Sequence, residues 1–312
     1  MADIEAARSE LVGRGVDASE VFHSESGRRR PGPDPRRADY GSFLSFDDPD
    51  GNGWLVQEVR RDLGLSPAPT PHQGHEARRA VDRATMRPLL ELTDAWRATY
   101  PGAAIGLLAM TSVRNPPPGA DLLARVEALA AEVRARHAGR SRTELENLPA
   151  MRPYVGHYRR FGKTYHLLLQ LESVAFRGRP PLAADSLVTA MFAAEIDHLL
   201  LTAGHDLDAL RPPLVADVTR PGDRYIGIGG KVIETRPGDM CIRDGEGIVS
   251  AVLHGPDRRT RLLPTTESVL FTTYAPAGIT DAELGDHLRA IEELVRAGSP
   301  SAITELLDSR RA

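Results

Sequence analysis

The chain has 312 residues, 41% of them apolar and 26% charged, with a formal net charge of −4. That length exceeds one average domain and admits two, and the composition supports a packed core beneath a charged surface. With no run of about eighteen apolar residues, an acidic start without a signal-peptide core and Cys241 as the single cysteine, a helical membrane span and an internal disulfide are excluded and a cytoplasmic location is expected.

Residues 1–63 open with a short helix whose apolar face carries Ile4, Ala7 and Leu11. Extended runs are predicted over 16–23 and 40–46. Asp47-Asp48-Pro49-Asp50-Gly51-Asn52-Gly53 is a turn, followed by a return strand over 54–59. Residues 64–84, with Pro67, Pro69, Pro71 and Gly74, read as a linker.

From 85 to 312 helix patterns come first and strand patterns later. Helices are predicted over 88–100, over 121–137 with Leu122, Val126, Leu129 and Val133 on one stripe, over 164–176 and over 186–200. Another helix starts where Thr143 and Glu146 have capping-box spacing. The apolar run 103–113 is a strand, and further strands are predicted over 214–219, 225–228, 240–243, 248–253 and 269–274, before a closing helix over 281–297. This order predicts an α+β fold with a mostly antiparallel sheet. Lys163 and Lys231 are the only lysines, so arginine content reflects composition, and a nucleic-acid footprint must be a local patch.

At the front, Gly13-Arg14-Gly15-Val16, Ser19-Glu20-Val21-Phe22-His23, Pro31-Gly32-Pro33-Asp34-Pro35 and the run Phe46 to Trp54 resemble the vicinal-oxygen-chelate family of glyoxalases and bleomycin-resistance proteins over residues 2–62. The match covers an incomplete βαβββ half. Its metal-binding members imply Glu58 and His23 as candidate ligands. Glu58 falls on the wrong strand face for that role and reads instead as an exposed strand residue, so no metal site and no cofactor are expected.

In the larger part, Tyr158-Arg159-Arg160-Phe161-Gly162-Lys163, Gln170-Leu171-Glu172-Ser173-Val174, Gly204-His205-Asp206-Leu207-Asp208, Ile228-Gly229-Gly230-Lys231, Gly255-Pro256-Asp257-Arg258-Arg259-Thr260 and Pro264 to Phe271 follow one another in an order that resembles the B3/B4 domain over 85–275. That domain is the editing module of the bacterial phenylalanyl-tRNA synthetase β subunit and also occurs alone. The resemblance implies a partner, the acceptor end of tRNA or aminoacyl-tRNA, and hydrolysis of a wrongly attached amino acid. It implies catalytic roles for His205, Asp257 and Thr266. Asp206, Thr189, Gly229 and Gly230 would contact the substrate, and Arg159, Arg160, Lys163, Arg258 and Arg259 the RNA. The family usually has Asp where this chain has Thr189 and Asn where it has Phe192, which favours a binding module without turnover as the alternative. A glyoxalase-type activity of residues 1–63 is the third reading, and self-association is left open.

The chemistry of the first reading is coherent. Ester hydrolysis needs a held water, a proton acceptor and donors for the developing oxyanion. A histidine with an ordinary pKa of roughly 6.5 accepts a proton near neutrality. Asp257 in Gly-Pro-Asp is equally ordinary turn chemistry, and His205 followed by Asp206 equally suits a cap. Gly229-Gly230-Lys231 lacks the earlier glycine and the Ser/Thr of a phosphate loop, because Tyr225 and Val232 stand there, so it reads as a hairpin turn.

Overall fold

The computed structural model describes residues 3–13, 15–25, 28–36, 42–47, 53–58 and 90–312. The chain divides into two compact units, residues 1–78 and 79–312. The predicted linker 64–84 and the tip of the predicted turn at 48–52 lie outside the described residues.

In the first unit, α1 (Ile4–Gly13) precedes four antiparallel strands, β1 (Phe22–Glu25), β2 (Arg28–Pro31), β3 (Ser42–Asp47) and β4 (Gly53–Gln57), in the order β2-β1-β3-β4. Ile4, Ala7, Ala18, Val21 and Leu44 form its small core, with Leu11 against it. Glu58 is buried, not exposed as the sequence reading has it, and accepts the Ser42 hydroxyl at 2.7 Å. His23 Nδ1 lies 3.0 Å from the Gly32 carbonyl. Among the described residues, no group of three His, Cys, Asp or Glu is placed to hold a metal.

The second unit opens with β5 (Leu90–Leu92) and α2 (Asp94–Thr99), where one helix over 88–100 is predicted. Thr93 explains the difference: its backbone N–H pairs with Ala216, and its hydroxyl accepts from Trp96 N at 3.1 Å, so the helix begins after it. There follow β6 (Ala104–Thr111), α3 (Ala120–His137), α4 (Arg142–Glu146), α5 (Met151–Arg160), α6 (His166–Arg177) and α7 (Ser186–His198). The capping box that starts α4 is Ser141 with Glu144, two residues ahead of the predicted Thr143 and Glu146. Next come β7 (Leu201–Asp206), a 3-10 turn at Leu207–Ala209, β8 (Leu214–Val218), β9 (Arg224–Ile226), β10 (Val232–Glu234), β11 (Met240–Asp244), β12 (Gly247–Ala251), β13 (Gly255–Pro256) and β14 (Ser268–Ala275). Helix α8 (Asp281–Gly298) and strand β15 (Ile303–Arg311) close the chain.

The strands form a four-stranded sheet, β15-β6-β14-β7, a five-stranded sheet, β13-β12-β11-β8-β5, and the β9-β10 hairpin. Every pairing is antiparallel except β5 with β8. The fold is therefore α+β with mostly antiparallel sheets. Strand β6 is covered on both faces, which is why its sequence shows no alternation. Ile105, Leu107 and Ala109 face the core shared with α2, α5 and α6, whereas Leu108 and Met110 face α3, α7 and α8. Among the described residues, no helix is long and apolar enough to cross a membrane.

Strand β7 sits at an edge of the four-stranded sheet and was not recognised as a strand in the sequence. Its register with β14 pairs Leu270 with His205, Phe271 with Gly204 and Thr273 with Thr202. Thr202 N and Asp206 N point away from β14, to Glu195 and Thr260 O respectively. By strand alternation the backbone of Gly204 points the same way, toward the open edge.

Candidate functional site

A cavity of about 510 Å³ opens at the free edge of β7. Its walls come from α6, α7, β7, the β9-β10 turn, the end of β12, β13 and the segment before β14. Most of the lining is apolar, including Val188, Met191, Phe192, Val252 and Leu262. The size and character fit a small organic ligand or the acyl part of a larger one. Ser250 and Tyr274 join their hydroxyls at 2.7 Å on this wall. His166, Gln170 and Glu195 supply the other polar side chains, with Thr202, Asp185 and Arg261.

The three residues predicted as catalytic lie beside this cavity but do not line it. His205 is fully buried, and burial pushes its imidazole down to about 4. Its Nδ1 lies 2.8 Å from the Thr260 hydroxyl, which donates in turn to Asp257 Oδ1. The Thr260 oxygen therefore accepts from His205 Nδ1–H, and Nε2, sealed from solvent, has no partner among the described residues. Thr266 donates to Asp206 Oδ2 at 2.8 Å, and Asp206 N donates to Thr260 O at 2.7 Å. His205, Asp257 and Thr266 thus belong to one hydrogen-bonded group around Thr260, at the C-terminal end of β7. Asp257 and Thr266 have no free face on the cavity, because their hydrogen bonds tie loop to loop.

The predicted substrate contacts are dispersed. Asp206 also caps the 3-10 turn through Asp208 N at 3.1 Å. Thr189 is buried and exchanges hydrogen bonds with Ala183, at 3.0 and 3.3 Å. Gly229 and Gly230 form the tip of the β9-β10 hairpin, where Gly230 takes φ of 77° and its N–H closes the turn on Gly227 O. That agrees with the hairpin reading of this segment.

Of the cations expected to meet RNA, four are engaged elsewhere. Arg159 pairs with Glu146 at 2.7 Å. The Arg160 guanidinium lies 5.5 Å from the centre of the Tyr100 ring. Lys163 donates to Leu253 O at 3.2 Å. Arg259 is held by Asp244 at 2.7 Å and Glu246 at 3.3 Å. Arg258, like Arg160 and Lys163, has no carboxylate partner among the described residues. It lines a second hollow with Arg224 and Arg261, and Lys231 lines a third next to Ile228 and Pro256. Arg224, Arg261 and Lys231 also lack carboxylate partners among the described residues. Arg224, Arg258, Arg261 and Lys231 form a patch around the cavity mouth, where Glu246 and Asp257 also line the second hollow. Of these four cations, the sequence reading assigns Arg258 to RNA and not Arg224, Arg261 or Lys231, because it follows cations that are close in sequence.

Sequence reasoning also passed over His166, Gln170 and Glu195. The signal was there. His166 and Gln170 stand four apart on one helix face, and Glu195 is an isolated acid in the otherwise uncharged run from Ser186 to Ile196. Glu195 is only 2% exposed, and burial pushes its carboxyl up to about 8.

No protein-family model matches the sequence, and no curated protein matches it. The vicinal-oxygen-chelate expectation for residues 2–62 is accordingly unsupported. Among solved structures, the chain is similar to the crystal structure of an N-terminal fragment of the phenylalanyl-tRNA synthetase β subunit from Pyrococcus horikoshii, with 9% identity and a TM-score of 0.37. The alignment covers 70% of this chain and 53% of that one, so the chain spans about half the length of that fragment.

Proposed function

We propose that the protein binds the aminoacylated 3′ end of a tRNA and hydrolyses the ester in trans, with the aminoacyl group in the cavity beside β7. The observation that carries this reading is adjacency. Arg261 is common to the apolar cavity and to the hollow lined by Arg224 and Arg258. An apolar acyl group and the phosphates next to it need those two surfaces side by side. Phe192, half-buried on the cavity wall, offers a flat face for the terminal base. The ordered segments that resemble the B3/B4 domain supply much of the rim, including Ile228, Gly255 and Pro256.

A second reading, binding without turnover, is favoured by the closed hydrogen-bond group around Thr260. His205, Asp257 and Thr266 serve there as loop anchors. The test is deacylation of tyrosyl- and alanyl-tRNA by the full chain, run beside a gel-shift titration with the same tRNAs. Turnover supports the first reading. A shift without turnover decides for the second. Absence of any shift overturns both. Replacing Arg258 and Arg261 together by Glu is expected to weaken the shift at least tenfold.

A further inference from the structure

His166 is the first residue of α6 and stands on the cavity wall. Its Nδ1 lies 3.1 Å from the Tyr158 hydroxyl, and that hydroxyl donates its single proton to Val252 O at 2.6 Å. The Tyr158 oxygen therefore accepts from Nδ1–H of His166, which leaves the Nε2 lone pair free. Nε2 has no protein partner among the described residues, and the His166 side chain is solvent-exposed at the cavity mouth. Burial lowers the pKa of this imidazole, so it is neutral near pH 7.

Glu195 reaches the same cavity from α7. One of its oxygens accepts from Thr202 N at 2.7 Å, and the other has no partner among the described residues. With a pKa of about 8 the carboxyl keeps its proton at neutral pH and presents an O–H. Gln170, one helical turn along from His166, has a sealed Oε1 without a partner among the described residues. Gly204 adds a backbone N–H at the open edge of β7. An acid with one unpaired oxygen, a free imidazole lone pair and an orphaned amide line one mostly apolar hollow, and the sealed Gln170 Oε1 is costly without a ligand donor.

We infer that His166 and Glu195 are the general base and the hydrogen-bonding acid of an esterase site for esters of small apolar carboxylic acids. The inference deepens the proposed function and rests on it only for the identity of the ester. Water attacks the ester carbonyl carbon as one of its protons passes to His166 Nε2. The carbonyl π pair moves onto its oxygen, where the Glu195 O–H and the Gly204 N–H hold the negative charge. Collapse of that intermediate breaks the bond to the alcohol oxygen, which takes the proton back from the His166 imidazolium. The products are a carboxylic acid and an alcohol, and the enzyme returns to its starting protonation state. The Tyr158–Val252 hydrogen bond acts as the positioning element that fixes the His166 tautomer.

The titratable side chains nearest Glu195 are Tyr154 and Tyr158 of α5, Tyr165, His166 of α6 and, one hydrogen bond beyond Thr202, His287 of α8. Tyr158 and Tyr165 flank His166. All of these are neutral near pH 7, and Arg261, Asp185 and Tyr274 are the other ionisable residues of the lining. The rate is therefore expected to rise with pH as His166 loses its proton and to fall again around pH 8 as Glu195 ionises.

The experiment measures the full chain against p-nitrophenyl butyrate and against tyrosyl- and alanyl-tRNA, over pH 5 to 9.5. His166→Ala is expected to lower kcat by about 100-fold or more on every ester that the wild type cleaves. Glu195→Gln, whose amide is a weaker donor to the oxyanion and does not ionise, is expected to lower the rate at pH 7 by about tenfold and to erase the alkaline limb of the profile. Thermal melts of both variants show that they are folded. If the aryl ester is cleaved in a His166-dependent way and the tRNAs are not, the inference stands and the tRNA reading falls. If the tRNAs are deacylated equally fast by His166→Ala, or Glu195→Gln keeps the alkaline limb, the inference falls and the tRNA reading stands. If nothing is cleaved, both fall.

Discussion

Single residues here act mainly by where burial leaves their protons. His205 and His287 are both fully buried, and burial pushes them down to about 4 and about 3. In the folded protein both stay neutral at pH 5, whereas in the unfolded chain both take a proton below roughly 6.5. The unfolded state thus binds more protons as pH falls, and the stability these residues contribute is full above pH 6.5 and lost toward pH 4. Glu195 acts in the opposite sense. Its folded pKa of about 8 lies above the ordinary 4.5, so its contribution is full below pH 4.5 and is lost as pH rises through 8. Between pH 5 and 6 the two effects oppose each other. Glu195→Gln removes the second and is expected to steepen the fall of stability with acidification by about 1.4 kcal/mol per pH unit, one proton's worth. Urea titrations of both proteins at pH 5 and pH 6 check this, and an unchanged slope would show that Glu195 is ionised in the fold. The reactive residues were only partly legible. An acid within an uncharged helix marks itself, but nothing in the sequence reveals that Thr260, unremarkable in a loop, would close His205 and Asp257 into one group.

Individual elements are held by close contact with their neighbours. Gly106 in β6 faces α8 so closely that an added Cβ would lie 2.7 Å from Leu284 Cδ1 and 3.2 Å from Leu288 Cδ1. Gly106→Val is expected to cost about 1–3 kcal/mol in urea unfolding, because a packed core yields only by strain. Gly204 in β7 has a different consequence. A Cβ there would meet Leu262 Cδ1 at 2.8 Å, and Leu262 is a wall of the cavity. Gly204→Ala is expected to push Leu262 inward and raise the KM for a bulky acyl ester more than for an acetyl ester. An equal change for both esters would place Leu262 outside the acyl site. The long helices α3, α7 and α8 and the buried strands β6 and β14 were readable from apolar pattern alone, because each buries a regular stripe or a continuous run. Strands β7 and β15 and the short β5 were not, because pairing with distant partners makes them strands: β7 with β14, β15 with β6, β5 with β8.

At the scale of the whole molecule the net charge of −4 argues against a general polyanion binder, yet four cations without carboxylate partners among the described residues gather around the cavity mouth. If all four meet phosphates of a single-stranded acceptor end, the logarithm of the binding constant falls against the logarithm of salt with a slope of at most about 3, and each removed cation lowers that slope by about 0.7. Filter binding from 50 to 300 mM salt, for the wild type and for Arg258→Ala, measures it; a slope that Arg258→Ala leaves unchanged would put the phosphates elsewhere.

The α+β class and the long apolar helices and strands followed from the sequence by itself, because hydrophobic periodicity and turn chemistry are local and repeat along the chain. Which cations are spent on neighbours, which histidine keeps a lone pair and which acid keeps its proton were decided only by tertiary structure. Those properties depend on desolvation and on partners many residues away, Tyr158 with Val252 and His205 with Thr260 among them.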